Sequence, residues 1–426
     1  MAARAVRLSL LVSLGGGLEI FEFFSYAIFA NRIAEAFYPS KDPMTGSLLT
    51  LSSLAAGFAA RPLGAVIMSH FGDRHGRRPV FIAGLLAMSL ATFAIGLLPT
   101  YAQWGIVPGV LVVALRVVQG LSVGGEMPGA AAYMVESFPT RAPFLTGLVT
   151  AFASLGILLA TGLSWLLEDA LSQAALAAWG WRVPFLIAGA FGLCSMAARR
   201  KLTEAPGFAR SERPRPRVPL AEVWRHHAAP FLICSGVMVA SAGFQGVFLG
   251  YLPLYLTRTL HYLPAQTARL LNLGSVAGTL AILIVSALGQ VMPPHRLMRI
   301  GAFALIAGAY PFFAALVAQS APLPALFAGA GMVQGLLVGT FAVLAADLFP
   351  VDVRFSGSGV AQTLANAVVA GFAPLVCTLL VATTHRPTAP AGYLIVTGLA
   401  GLLASFPLVR RSGWIARDHH AIHEED

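Results

Sequence analysis

The chain alternates long apolar runs with short polar breaks, and the runs fall into two groups of six. Stretches fit to cross a membrane lie near 9–31, 47–70, 79–99, 106–135, 144–167 and 181–198. After a polar gap, six more follow near 228–256, 267–290, 298–318, 322–346, 355–381 and 391–409. Each approaches the roughly 20 residues that a helix needs to span about 30 Å of hydrocarbon. Lipid offers the backbone no hydrogen-bond partner and no run alternates like a barrel strand, so helices are expected throughout. The predicted class is an all-α polytopic membrane protein with twelve transmembrane helices in two six-helix bundles. The bundles are predicted over 1–198 and 228–410, with a linker over 199–227 and a tail over 411–426.

Composition agrees with the pattern. Charged residues make up 11% of the chain, against roughly a quarter in soluble domains, which excludes a soluble globular protein. The net charge of +10 does not imply a nucleic-acid partner, because the basic residues concentrate in loops on one side. That side includes Arg74, Arg77, Arg78, Arg199, the linker arginines and Arg354, and its total is 20 against five opposite. The positive-inside rule then puts both termini and the linker in the cytoplasm, the protein lying in a plasma membrane of the bacterial inner type. The linker's basic residues suit an anionic leaflet, and its stretch 213–219 suits a semi-rigid spacer. Glu19 and Glu22 interrupt the first run, which therefore predicts a span rather than a signal peptide. Cys194, Cys234 and Cys377 lie in or beside apolar runs without metal-ligand spacing and are expected as small buried hydrophobes.

The halves echo each other. Gln119-Gly120-Leu121 and Val123-Gly124 recur as Gln334-Gly335-Leu336 and Val338-Gly339 at an offset of 215. Further on, Glu136-Ser-Phe138-Pro139 matches Asp347-Leu-Phe349-Pro350 at 211, a difference of about one helical turn. A duplicated bundle places its substrate near the midplane between the repeats.

Ionisable groups at membrane depth are costly and so mark function by default. Those predicted here are Glu19, Glu22, Arg61, Arg116 and Glu126, all in the first half; the second half offers neutral groups such as Gln245, Gln334 and Asn366. Glu19 and Glu22 share a helix face with Tyr26 one turn on. Two carboxylates that close repel, an arrangement suited to proton coupling, in which Glu126 is a third candidate. The structural alternative is that each glutamate pairs with an arginine and holds helices together. Tyr26, Arg61, Arg116, Gln119, Gln245, Phe248 and Tyr251 are the candidate substrate-binding residues. Phe244, Phe248, Tyr251 and Tyr255 form a stripe that either lines a cavity or packs. Gly120 and Gly124 admit a close helix neighbour. The loop Ser69–Phe81 packs Asp73, Arg74, Gly76, Arg77 and Arg78 into one turn, with Asp73 and Arg77 spaced for an ion pair. This loop is a candidate conformational latch, in which Glu136 is also placed. The tail sequence DHHAIHEED is expected as a solvated tail, and no phosphate loop, HExxH or nucleophile elbow occurs, so no enzyme activity and no metal site are expected.

These motifs resemble the major facilitator superfamily, in particular its metabolite:proton symporters for citrate, 2-oxoglutarate, shikimate, proline or betaine. The resemblance rests on GFAARPLGAVIMSHFGDRHGRRP, RVVQGLSVGGE, WGWRVPFLIAG with RRKLTEAPGF, and LFPVDVRFSGSG. It implies the major facilitator fold, a latch built on Asp73, Arg74, Gly76, Arg77 and Arg78, and a proton-linked fourth helix carrying Arg116 and Gly120. The antiporter motif of the fifth helix is absent, which favours symport or uniport. The first helix departs from the family's GNxxEWYDF as GGGLEIFEFF, with Glu22 where an aspartate is usual. The second-half latch is lost, and Met127-Pro128 follow Glu126 where an aromatic and a glycine are common, so a differently kinked fourth helix is expected. The expectation is a monomeric, cofactor-free, proton-driven importer of a small organic acid or zwitterion. An exporter and a non-transporting membrane sensor are the alternatives.

Overall fold

The computed structural model describes residues 2–39, 43–200, 203–209, 211, 215–319, 322–411, 413 and 415. Among them, twelve helices are long and apolar enough to cross a membrane. They are α1 (Leu8–Ile28), α2 (Ser52–His75), α3 (Arg77–Leu97), α4 (Val107–Ser137), α5 (Pro139–Ala170) and α6 (Gly180–Ala197). The second set is α7 (Ala228–Thr259), α8 (Pro264–Leu288), α9 (Pro294–Ala318), α10 (Leu323–Asp347), α11 (Arg354–Thr384) and α12 (Pro390–Arg411). The tail sequence from Asp418 onward lies outside the described residues.

Two compact units form. The first joins 1–130 with 152–204, and the second joins 131–151 with 205–426.

Within the first unit, α2 and α4 meet through glycines. A methyl group at Gly57 would lie 2.9 Å from the Arg116 carbonyl oxygen, and one at Gly120 would collide with the Gly57 carbonyl. Without a hydrophobic drive between helices in lipid, such backbone proximity supplies the packing. The second unit repeats the device. Gly335, the counterpart of Gly120, abuts the backbone of Ala281 in α8, and Gly331 abuts Gly274. The helix breaks repeat as well: α4 is interrupted at Gly124–Gly125 and α10 at Gly339–Thr340. Equivalent breaks at equivalent positions are what a duplicated bundle requires.

The linker is partly helical. Short helices form at Pro206–Ala209 and Pro219–His226, because Ala205, Phe208 and Val223 bury completely or nearly so. Arg215 lies over the Phe208 ring at 4.4 Å. Residues 213 and 214 of the expected spacer lie outside the described residues. Outside the spans, burial pushes the Tyr38 hydroxyl above the ordinary phenol range. It therefore keeps its proton and donates to the Gly109 carbonyl at 2.8 Å.

Candidate functional site

The first unit gathers its membrane-depth charges around α1. Glu19 and Glu22 are each about 4% exposed, and an ionised carboxylate at that depth needs a cation. Glu22 Oε1 lies 2.6 Å from Arg116 Nη1. Arg116 Nη1 also donates to Gln119 Oε1 at 3.0 Å, and Gln119 Nε2 donates in turn to Thr92 Oγ1 at 2.7 Å. The Arg116 guanidinium sits 3.5 Å from the Tyr26 ring centre, and the Tyr26 hydroxyl is bonded to Ser53 Oγ at 2.5 Å. Arg116 is thus committed to a carboxylate, an amide and an aromatic face.

Arg61 is held differently. Its Nη1 is 3.3 Å from Glu19 Oε1, and 22% of its side chain remains exposed against 4% for Arg116. Its guanidinium lies 4.1 Å from the Phe58 ring centre and 5.8 Å from that of Phe23. Each glutamate therefore has its own arginine, the pairing alternative drawn from the sequence. These residues enclose a space of about 20 Å³ lined by Glu19, Glu22, Phe23, Phe58, Arg61 and Arg116. That is room for about one water molecule.

Glu126 opens the second segment of α4, after the break at Gly124–Gly125. Its Oε1 lies 2.8 Å from Nη2 of Arg199, which is fully buried. This interruption precedes Met127-Pro128 and has its counterpart at Gly339–Thr340, so it belongs to the repeat.

The loop between α2 and α3 closes on itself. Arg77 Nη1 is 2.6 Å from Asp73 Oδ1 and donates to the Gly72 carbonyl at 2.7 Å, with Asp73 and Arg77 fully buried. Gly76 has φ of 107°, a backbone conformation that glycine adopts without strain. The Glu204 carboxylate then accepts from the backbone N–H groups of Arg77 at 2.9 Å and Arg78 at 3.2 Å, at the N-terminus of α3. Arg78 Nη2 donates to the Arg200 carbonyl at 2.8 Å, and Arg74 is exposed. Capping of this kind is worth about 1 kcal/mol. Glu204→Gln is expected to lower thermal stability in detergent by about that amount, and an unchanged melting temperature would refute the capping role.

Glu136 belongs elsewhere. It pairs in the second unit with Arg354, whose Nη1 is 3.4 Å from Glu136 Oε1. Arg354 Nε also donates to the carbonyls of Ala346 at 3.1 Å and Phe349 at 3.2 Å. Arg199, Glu204 and Arg354 were missed as site residues by sequence reasoning, which counted the two arginines as loop charges. The available signal was their position directly at helix ends, where a long side chain can fold back into the bundle.

The aromatic stripe of α7 lies in the core of the second unit. Phe244 stacks on Phe248 at 5.2 Å and Tyr251 on Tyr255 at 5.3 Å. Phe248 also meets Phe327 at 5.9 Å, and the Tyr255 hydroxyl donates to the Pro387 carbonyl at 2.6 Å. Gln245 is half-buried beside two π-helical stretches, Gly246–Tyr251 and Tyr255–Thr259.

The profile of the Major Facilitator Superfamily matches residues 12–374. The chain belongs to that superfamily. It is 30% identical over 407 residues to the glycine betaine/proline/ectoine/pipecolic acid transporter of Dickeya dadantii, covering 92% of this chain and 80% of that protein. It is 29% identical to the citrate-proton symporter of Klebsiella pneumoniae, covering 94% and 91%. In fold it is similar to the superfamily's proton:xylose symporter bound to 6-bromo-6-deoxy-D-glucose. The TM-score is 0.76 at 17% identity, covering 96% of each chain. The fucose:proton symporter of E. coli gives 0.70 at 15%, covering 96% and 99%. The chain is a multi-pass membrane transporter of the secondary active kind and not an enzyme.

Proposed function

We propose that this superfamily member imports a small organic acid or carboxylate-bearing zwitterion together with a proton, by alternating access. The observation that carries the reading is the contrast between its two arginine pairs. Arg116 is buried and closely paired with Glu22, whereas Arg61 is part-exposed, more loosely paired with Glu19 and flanked by Phe23 and Phe58. A substrate carboxylate and the Glu19 carboxylate compete for the same guanidinium. Protonating Glu19 frees Arg61 for the substrate, and substrate on Arg61 leaves Glu19 a better proton acceptor. Each ligand then strengthens the other, which is the linkage that symport needs. Glu22, held by Arg116 and resting on Tyr26, is the second proton-coupling carboxylate. Among the site residues, Gln119 orients Arg116, while Gln245, Phe248 and Tyr251 are the substrate-binding candidates of the second unit. Asp73, Arg74, Gly76, Arg77 and Arg78 form one latch and Glu136 with Arg354 another. The protein works as a monomer in a bacterial inner membrane, with both termini and the linker cytoplasmic; the loop arginines support that orientation.

The test is uptake into proteoliposomes of labelled citrate, 2-oxoglutarate, shikimate, proline and glycine betaine, with and without an inward proton gradient. Gradient-driven accumulation of at least one solute is expected. Arg61→Gln is expected to raise the KM for that solute at least tenfold, about 1.4 kcal/mol of binding. Uptake that ignores the gradient, or an unchanged KM in the variant, would refute the reading.

A further inference from the structure

Three successive glycines in a membrane helix ask for a reason, since glycine is the poorest helix former after proline. Gly15, Gly16 and Gly17 of α1 supply one. A methyl group at Gly15 would collide with Glu126 Oε1 and lie 2.7 Å from Arg199 Nη2. At Gly16 it would meet Met127 Sδ at 2.5 Å, and at Gly17 the Phe152 carbonyl at 3.1 Å. The helix is thinned on the face where the Glu126–Met127 turn and the end of α6 approach it. Gly16 in α1 and Met127 in α4 are both places where this chain departs from the pattern it otherwise resembles, and the structure brings them together.

Arg199 ends the helix Val183–Arg199 and is fully buried. Its Nη2 lies 2.8 Å from Glu126 Oε1, its Nε donates to the Leu11 carbonyl at 3.1 Å, and Nη2 also donates to the Val12 carbonyl. The Phe81 ring centre is 5.6 Å from the guanidinium. One arginine thus joins α1, α4 and α6. Arg199 Nη1 is buried with no hydrogen-bond partner among the described residues. Glu19 stands one helical turn along α1 from Gly15, the residue against which the Glu126 carboxylate lies. The carboxylates facing this cluster are Glu19 and Glu22 from α1 and Glu126 from α4; the cations are Arg61, Arg116 and Arg199.

Resting on the symport reading, we propose that Glu126 is a second proton station, through which the proton taken by Glu19 leaves, and that Arg199 is the positioning residue that resets it. In the step, the O–H bond at Glu19 breaks, water carries the proton, and an O–H bond forms at Glu126. Glu126 then loses its charge and its hold on Arg199, which keeps the carbonyls of Leu11 and Val12. The proton passes to water on the far side, and the Glu126–Arg199 pair re-forms.

A purely structural ion pair makes a different prediction, because replacing both partners of a buried pair costs far less than removing one. The measurement is the ratio of gradient-driven accumulation to gradient-free counterflow in proteoliposomes of the full chain, with labelled glycine betaine, proline and citrate. Glu126→Gln is expected to lower the ratio at least tenfold, and Glu126→Asp to regain part of it. The double variant Glu126→Gln/Arg199→Gln is expected to regain thermal stability in detergent while its ratio stays low. A double variant whose ratio returns to within twofold of wild type would overturn the proposal, as would a single variant that keeps it. If the single variant does not fold, the double variant decides. Wild type that accumulates none of the probes overturns the symport reading itself, a result distinct from loss in the variants alone.

Discussion

Arg116→Gln is expected to destabilise the first unit by about 3–5 kcal/mol, the usual cost of leaving one buried charge without its partner. The stranded group is Glu22, 4% exposed and 2.6 Å from the guanidinium that the substitution removes. Two further contacts go with it, since Gln119 loses a donor and the Tyr26 ring loses its cation. Glu22→Gln should cost a comparable amount by stranding Arg116, whose Nε and Nη2 are already buried without hydrogen-bond partners among the described residues. The double variant removes the charge from both sides and is expected to recover most of the loss, because two neutral amides at that spacing can bond to each other. Thermal unfolding of the four proteins in one detergent closes the double-mutant cycle. A coupling energy near zero would mean that the pair does not hold α1 to α4. The same set in proteoliposomes separates stability from coupling, since the double variant is expected to be folded and to accumulate no solute against a gradient.

How much of this was legible beforehand depended on the physics behind each feature. The twelve spans were, because hydrocarbon thickness imposes a length that composition alone reveals. The repeat was too, because the same glycine seam joins α2 to α4 and α8 to α10, and a seam of small residues leaves a spacing in the chain. Glu19, Glu22, Arg61, Arg116 and Glu126 stood out because charge is rare at that depth. Which arginine served which glutamate was not legible. Helical spacing fixes neighbours along one helix, while the pairs Glu19–Arg61, Glu22–Arg116 and Glu126–Arg199 each join two different helices. Arg199 and Arg354 were hidden for another reason. Each lies at a helix end, where a loop charge and a buried charge look alike in sequence, yet neither is more than 1% exposed. They entered the count that oriented the chain, and they turn out to satisfy carbonyls and carboxylates inside it. The stripe of α7 had the spacing of a lining and of a core alike, and its rings are spent on each other.

Arg354 and Glu136 provide an asymmetric case, in which the two ends of one ion pair should not cost the same. Arg354→Met is expected to cost about 3–5 kcal/mol, because the guanidinium serves three acceptors at once. It neutralises Glu136, which is 5% exposed, and it satisfies the carbonyls of Ala346 and Phe349 where α10 ends. The last carbonyls of a helix have no partner within it, and methionine offers none. Glu136→Gln should cost only about 1–2 kcal/mol. The pair is long at 3.4 Å, an amide can still accept from Arg354, and the two carbonyl contacts remain. The difference between the variants therefore measures the share of Arg354 that belongs to the α10 terminus rather than to Glu136. Hydrogen exchange at residues 347–355 reads the same quantity locally, with faster exchange expected in Arg354→Met and little change in Glu136→Gln. Equal losses in both variants would mean that the ion pair itself, and not the capped helix end, holds the start of α11. An ion pair supported mainly by carbonyl contacts is expected to outlast protonation of its glutamate, so lowering the pH should leave exchange at residues 347–355 little changed.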